Sequence, residues 1–205
     1  MPHPTVALIE QRVSARRFDP SHVLTRIEIE ELVRLATRAP TAFNLQNWRF
    51  IAVLTPEAKM KLRHFAYDQL KISDAAMTFI ICGQSPDYAT VSERLRPAVE
   101  SGLMTEAMAS EWQEEARAKY DDNPKAARDE AIRSAALGTA TLIYAAEATD
   151  LKSGSMGGFD ADAVSHEFGL APSEIPVMLV AVGRAAPGNW SQKPRRPLSE
   201  VLRIS

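Results

Sequence analysis

Three short apolar segments constrain the fold of this 205-residue chain more than any other feature. They are Trp48–Leu54 (W-R-F-I-A-V-L), Met77–Gly83 (M-T-F-I-I-C-G) and Pro176–Gly183 (P-V-M-L-V-A-V-G). Each is short enough to be a strand, and a nearly continuous apolar run is typical of a strand that is covered on both faces. We therefore expect one small central sheet, mixed or parallel, with helices on both faces of it.

Two helices have clear local signals. The segment Ala126–Thr149 is rich in alanine and is apolar nearly all round over Ala135–Ala146, so we expect a central helix in which Gly138 permits close packing. A second helix is predicted to begin at Thr25, because Thr25 and Glu28 have the spacing of a capping box.

The remaining segments add five predicted helices to these two. The predicted ones are a short helix at Thr5–Val13, a helix from Thr55 to about Leu70, two helices within Pro86–Tyr120 that are broken near Gly102, and a helix capped by Asp160 that ends at Gly169. The tail after the last strand ends in Leu198–Ile204. It has no obvious place in a compact monomer, so we expect it to reach a partner.

Composition narrows the functional class. With 45% hydrophobic residues, 24% charged residues and a formal net charge of −2, the chain gives no reason to expect nucleic acid or an anionic membrane as its main partner. Its one cysteine, Cys82, cannot form an intrachain disulfide, and its most apolar helical run is shorter than the ~20 residues that span a bilayer. Since no signal peptide is visible, we expect a cytoplasmic protein with a single domain over residues 1–205.

Two basic clusters are candidate anion sites. Arg12, Ser14 and Arg16 stand at alternate positions of R-V-S-A-R-R-F, so in an extended segment they point the same way. Two guanidinium groups beside a hydroxyl suit a phosphate dianion, although a solvated basic face has the same pattern. Lys193 and Arg195 belong to the second cluster, K-P-R-R, which by itself is more typical of an exposed terminus.

The polar loop Ala39–Trp48 (A-P-T-A-F-N-L-Q-N-W) is a third candidate. A connection between a helix and a strand usually contains Gly, Asp or Ser, whereas this one interleaves a hydroxyl, two amides and an aromatic ring with apolar residues. These groups suit a planar, hydrogen-bonding heterocycle, and they also suit a buried contact with another protein.

The segment Leu151–Asp160 (L-K-S-G-S-M-G-G-F-D) is predicted to be a glycine-rich loop. Gly157 and Gly158 would let a flat ligand approach main-chain N–H groups, although a plain turn between helices explains the composition equally well. The chain has no G-x-S-x-G, no G-x-G-x-x-G and no Walker loop. Its four histidines lack metal-ligand spacing and Cys82 lies in an apolar strand, so we expect neither a metal site nor a cysteine nucleophile.

Five segments in register resemble the FMN-dependent nitroreductase family. They are R-V-S-A-R-R-F, A-P-T-A-F-N-L-Q-N-W, G-S-M-G-G-F-D, A-V-G-R and K-P-R-R-P-L-S-E-V, and their order and spacing cover nearly the whole chain. The chain departs from the family pattern at Asn47, where proline is common, and at Ala42, where a hydroxyl residue is often found.

The resemblance implies an α+β protein with a nitroreductase-like fold and an intertwined homodimer, with FMN at the subunit interface and a C-terminal tail that reaches the partner. It also implies that the flavin N5 carries the chemistry, taking hydride from NADH or NADPH and passing it to a nitroaromatic, quinone or similar acceptor with ping-pong kinetics. The protein would supply no catalytic side chain and no metal. The cofactor-binding residues that it implies are Arg12, Val13, Ser14, Arg16, Pro40, Thr41, Ala42, Asn44, Gln69, Met156, Gly157, Gly158, Lys193 and Arg195.

The resemblance also implies individual roles. Arg12, Lys193 and Arg195 would hold the phosphate, while the loop before Trp48 would come from the other subunit. Arg16 would lie near the pyrimidine edge, where a cation stabilises the charge of a reduced flavin.

Two alternative functions stay open. One is a flavin enzyme of the same fold with flavin-consuming or dehalogenating chemistry, and the other is a non-enzymatic protein that binds phosphorylated ligands.

Overall fold

The computed structural model describes residues 3–205 and contains a four-stranded sheet. Its strands are β1 (Trp48–Val53), β2 (Met77–Gln84), β3 (Lys152–Met156) and β4 (Glu174–Gly183), in the spatial order β1-β2-β4-β3. The three pairings between these strands are all antiparallel. The predicted α+β class and small central sheet are confirmed, whereas the prediction of a mixed or parallel sheet is wrong.

Burial on both faces of the sheet explains the error about strand direction. The central strands β2 and β4 place Phe79 and Val180 in one core cluster, and Ile80 and Leu179 in another. A strand with two buried faces is a continuous apolar run whichever way its neighbours point. The pattern therefore reports burial and does not report direction.

Helices surround the sheet. In chain order they are α1 (Pro4–Gln11), α2 (Arg26–Ala36), α3 (Pro56–Phe65), α4 (Leu70–Asp74), α5 (Val91–Glu100), α6 (Glu106–Tyr120), α7 (Pro124–Ala148), α8 (Ala161–Glu167) and α9 (Leu198–Val201). Two 3₁₀ turns lie at Ala42–Asn44 and Tyr88–Thr90. Among residues 3–205, no helix has both the length and the apolar character that crossing a membrane requires.

Most of the predicted helices are confirmed. The capping box forms, because the Glu28 N–H donates to Thr25 Oγ1 at 3.3 Å and the Thr25 N–H donates to the Glu28 carboxylate at 2.7 Å. The predicted break near Gly102 separates α5 from α6, and Gly102 has a positive φ of 75°. Helix α3 stops short of its predicted end, since Tyr67 and Asp68 take φ values of 54° and 57° before α4 begins.

Helix α7 packs closely on one face of the sheet, as its small side chains predict. A Cβ atom added at Gly138 would lie 3.2 Å from Phe50 Cζ and 3.3 Å from Trp48 Cε3. A Cβ atom added at Gly83 of β2 would overlap the main-chain carbonyl of Ala131. The two glycines therefore let the helix and the sheet approach more closely than larger residues would.

Strand β3 corrects the prediction of a glycine-rich loop over the whole of Leu151–Asp160. Its sequence, K-S-G-S-M, pairs with β4 along its length. Its other edge receives the N-terminal segment, because Ser14 forms a parallel bridge with Ser153 and the Ala15 N–H donates to Ser153 O at 2.8 Å. Serine and glycine are not strong strand formers, so pairing with distant segments determines the structure here.

The chain after β4 has little regular structure and exposes several apolar side chains. Apart from α9 it forms no helix or strand beyond Gly183. Leu198, Val201, Leu202 and Ile204 are all exposed, and Ile204 retains 88% of its accessible surface. Exposed apolar groups that lie together mark a surface for interaction, so the tail remains predicted to reach a partner.

We predict that Cys82 is unreactive in the folded protein. Desolvation raises the pKa of this fully buried thiol to about 12, and the Glu174 carboxylate adds to the effect while Arg49 opposes it. Because the thiolate is the reactive form, Ellman's reagent near pH 8 should label the protein only after unfolding in guanidinium chloride. Rapid labelling of the native protein would contradict the burial of β2.

Candidate functional site

Two adjoining hollows lie beside the edge of β3 that pairs with the N-terminal segment. The first has a volume of about 440 Å³, and the predicted residues that line it are Arg12, Val13, Ser14, Arg16, Lys193 and Arg195. The second has a volume of about 560 Å³ and is lined by Gln69 among others. Arg16 and Lys71 line both hollows, which together have the size of a small-molecule site.

Five cations line the first hollow without a carboxylate to balance them. Arg12, Arg16, Lys71, Lys193 and Arg195 form no ion pair within the part of the chain that the structure describes. Burial lowers the pKa of Lys71, and the nearby charges of Arg16 and Lys193 lower it further. Like charges held this close repel one another, so the hollow favours the binding of an anion.

The edge of β3 positions the segment that carries the first basic cluster. Ala15 is buried against the sheet, while Ser14 and Arg16 are exposed towards the hollow, as their alternate spacing predicts. A Cβ atom at Gly154 would overlap the carbonyl oxygen of Ala15. Only glycine at this position of β3 lets the segment lie so close to the strand.

The C-terminal tail forms another wall of the same hollow. Gln192 Nε2 donates to the carbonyl oxygen of Arg12 at 3.1 Å, and the Arg195 guanidinium donates to Lys193 O at 2.9 Å. The structure thus brings together two basic clusters that lie near opposite ends of the sequence.

Gln69 lies beside the second hollow and keeps its acceptor oxygen available. Its Nε2 donates to Ala66 O at 3.2 Å and to Gly158 O at 2.9 Å. Within residues 3–205 its Oε1 accepts no hydrogen bond, so that atom can accept one from a ligand. The contact also brings together two residues of the predicted set, Gln69 and Gly158.

The two glycines after β3 present main chain to open space. A Cβ atom at Gly157 would meet no atom within 4 Å, and one at Gly158 would meet only Gln69 and Tyr67, at 4.0 Å. Neither glycine has a positive φ, so the fold of this chain does not require glycine at either position. Met156 differs from them because its side chain is buried in the core, which leaves only its main chain for a ligand.

The four predicted residues of the loop before β1 line neither hollow. They are Pro40, Thr41, Ala42 and Asn44. They precede β1, which forms the opposite edge of the sheet from β3. Since neighbouring strands are about 4.8 Å apart, three strand spacings lie between the two edges. Within one chain, the structure does not bring this loop to the basic clusters.

The loop before β1 is nevertheless held in an unusual conformation. Phe43, Asn44 and Gln46 have positive φ values of 51°, 52° and 48°. Arg94 of α5 donates to the carbonyl oxygen of Leu45 at 2.7 Å and fixes the turn. Residues in this conformation cost about 1–3 kcal/mol each and are enriched at functional sites, which keeps the loop a candidate for ligand contact.

Asn47, at the position where the resemblance leads us to expect proline, has a structural role. Its side chain is buried, and its Nδ2 donates to Gln84 O at 2.9 Å. The Asn47 carbonyl in turn accepts from the Gln84 N–H at 2.8 Å. Asn47 therefore extends the pairing of β1 with β2 by one residue and lies in neither hollow.

Lys71 and Trp190 line the first hollow but are absent from the predicted set. Lys71 lies in L-K-I-S-D, an ordinary helical sequence without any signal of function. Trp190 had a weak signal, because N-W-S-Q-K-P-R-R places an aromatic ring among basic residues. No group of three or more His, Cys, Asp or Glu side chains in residues 3–205 could hold a metal ion.

Known proteins share this architecture. The family model described as "Nitroreductase family" matches residues 9–184. Protein DrgA of Synechocystis sp. is 31% identical over 206 residues, which cover 97% of this chain and 94% of DrgA. YodC of Bacillus subtilis, provisionally named an NAD(P)H nitroreductase, is 29% identical over 198 residues, which cover 96% of each chain. A nitroreductase-type protein from Exiguobacterium sibiricum, crystallised in complex with FMN, has a TM-score of 0.89 at 22% identity, over 100% of this chain and 99% of that one.

We predict that Gly154→Ala displaces residues 14–16 from β3. Because the added methyl group would overlap the Ala15 carbonyl, the free energy of unfolding should fall by about 1–3 kcal/mol, measured by urea denaturation. Gly157→Ala is the matched control, since a methyl group there meets no atom within 4 Å, and it should unfold like the wild type. Equal stability of the two variants would contradict the close contact between Ala15 and β3.

Proposed function

The chain belongs to the nitroreductase family, and from this premise we propose that it is an FMN-dependent oxidoreductase. Its substrates would be NADH or NADPH as hydride donor and nitroaromatic compounds, quinones or similar molecules as acceptors. The observation that carries the proposal is the group of five unbalanced cations beside β3, at two adjoining hollows with room for a phosphorylated ring system.

The first hollow fits the phosphate end of FMN. Arg12, Lys193 and Arg195 supply cationic donors, and Ser14 supplies a hydroxyl group. A phosphate monoester carries close to two negative charges and three strong acceptor oxygens, which such donors satisfy. Because these cations have no carboxylate partner in residues 3–205, their charge is available to the ligand.

The second hollow fits the polar edge of the ring system. Gln69 Oε1 would accept a hydrogen bond from the ring, and the main chain at Gly157 and Gly158 would lie beside it. When bound, FMN would supply the chemistry of accepting hydride from the nicotinamide and delivering it to the acceptor. Arg16 and Lys71, which line both hollows, would stabilise the negative charge that accompanies reduction.

We further propose that a second copy of the chain completes the site. The loop with Thr41 and Asn44 lies at the opposite edge of the sheet from Arg16. If these residues contact the same ligand as Arg16, they would do so from a second chain. The chain also has an exposed apolar tail and an apolar hollow of about 620 Å³ between α1, α2 and α7, lined by Leu8 and Tyr144 among others. A symmetric homodimer would cover both surfaces.

The absorption spectrum of the purified protein tests the proposed function. We expect a yellow protein whose chromophore, released by heat, is FMN, and whose visible absorbance bleaches with NADH or NADPH and recovers with a quinone or nitroaromatic. Initial rates should follow a ping-pong pattern, because donor and acceptor would occupy one pocket in turn. Protein that is colourless when purified and cannot be reconstituted with FMN would overturn the proposal. A flavoprotein that neither nicotinamide bleaches would instead indicate other flavin chemistry.

Arg12→Ala should weaken FMN binding. Loss of a charge-assisted hydrogen bond costs about 1.5–3 kcal/mol, which is about a 10- to 150-fold rise in the Kd measured by quenching of flavin fluorescence. Arg26→Ala is the matched control, because it removes the same charge from an exposed position on α2 where Arg26 pairs with Glu30. Equal affinity of the two variants for FMN would exclude Arg12 from the phosphate site.

Sedimentation should show a dimer with twice the 22.6 kDa mass of one chain. The double variant Leu198→Asp/Leu202→Asp should dissociate more readily, since it places charges on a tail that the dimer would bury. Leu103→Asp is the control, because Leu103 is an exposed leucine between α5 and α6, far along the chain from the tail. A monomeric wild type would refute the proposed dimer.

A further inference from the structure

Three uncharged side chains of the tail contact four of the five residues that bring cations to the first hollow, all but Lys71. We propose that Asn189, Trp190 and Gln192 are positioning residues, which arrange these cations without neutralising them and thereby set a preference for a phosphate monoester over the same ligand without phosphate. The inference rests on the proposed function, because the phosphate monoester in question is that of FMN.

Asn189 fixes the main chain of the arginine-bearing segment. Its Oδ1 accepts from the N–H groups of Arg16 and Arg17 at 2.7 Å and 3.1 Å. Its Nδ2 donates to the carbonyl oxygens of Arg17 and Ala186 at 2.8 Å and 2.9 Å. Both donors and the acceptor oxygen of the amide are thus used, and together they set the point from which the Arg16 side chain extends.

Trp190 orients two cationic side chains with one ring. The guanidinium carbon of Arg16 lies 4.0 Å from the ring centroid, and Lys193 Nζ lies 5.1 Å from it. Both distances are within the ~6 Å range of a cation–π interaction. The ring attracts both cations while carrying no charge itself. It therefore offsets their mutual repulsion and leaves the positive charge of the hollow unchanged.

Gln192 connects the two basic clusters in the same neutral way. Its Nε2 donates to Arg12 O at 3.1 Å, and its Oε1 accepts from the Arg195 guanidinium at 2.9 Å. A glutamate has nearly the same shape and could also accept from Arg195, but it could not donate to Arg12 O and would cancel one unit of positive charge. The amide supplies the geometry and leaves the charge of Arg195 for a ligand.

The neighbouring arginine shows the contrast. Arg196 pairs with the carboxylate of Glu200 at 2.9 Å, so the tail does carry an acidic partner for an arginine. That carboxylate is directed to Arg196, which does not line the first hollow. Among the cations that do line it, Arg16 and Lys193 contact the Trp190 ring. Arg195 donates to the Gln192 amide oxygen and to a main-chain carbonyl.

The test compares the binding of FMN and riboflavin by the full-length apoprotein, using fluorescence quenching. Gln192→Glu should raise the Kd for FMN by about 10- to 100-fold, since one charge of the site is cancelled, and leave the Kd for riboflavin unchanged. Trp190→Leu should raise the Kd for FMN by about 5- to 30-fold, with Trp190→Phe closer to the wild type because it keeps a ring. A variant that loses affinity for FMN more than for riboflavin indicates that the residue positions charge for the phosphate. A variant that loses affinity for both flavins equally indicates a general structural role.

Two results would overturn the inference. One is a loss of affinity for both flavins by the same factor, and the other is unchanged FMN affinity in both Gln192→Glu and Trp190→Leu. A wild type that binds neither flavin would overturn the proposed function instead. In that case calorimetric titration with inorganic phosphate decides the inference: weaker phosphate binding by the two variants supports it, and equal binding refutes it.

Discussion

The pairing of β3 with β4 is the interaction on which the site depends. A strand of five residues with two serines and a glycine has little intrinsic preference for the extended state, so its neighbours hold it. Once in place, β3 offers an edge to which the segment around Ala15 binds, and Gly154 keeps that contact close. The basic residues on either side of Ala15 then point into a hollow that the tail closes from another side.

The width of the sheet separates the two groups of polar residues that the sequence singles out. The basic clusters meet at the β3 edge, while the loop with the strained residues Phe43 and Asn44 precedes β1 at the other edge. Within one chain, three strand spacings separate the two groups. The two-fold axis of the proposed homodimer would place the β3 edge of one copy beside the β1 edge of the other, and would do so twice.

Local sequence patterns predicted local structure well, but they did not predict features that depend on contacts between distant segments. The capping box of Thr25 and Glu28 and the outward direction of Ser14 and Arg16 depend on neighbours within a few residues, so their spacing was sufficient. Strand β3 and the antiparallel sheet depend on pairing between distant segments, which an apolar pattern does not encode. Lys71 matters because Arg16 and Lys193 lie beside it, and no feature of its own helix records that fact.

The hydrogen bonds of Asn189 also have a consequence for biosynthesis. Asn189 accepts a hydrogen bond from the N–H of Arg16, which lies 173 residues earlier in the chain. The ribosome therefore makes one part of the cation cluster long before the other. A nascent chain without residues 189–195 would offer a phosphate group only part of its donors and would leave the arginine segment untethered. With the proposed cofactor, loading would therefore follow the end of translation, and a molecule that retains flavin would be one whose two distant segments have already met.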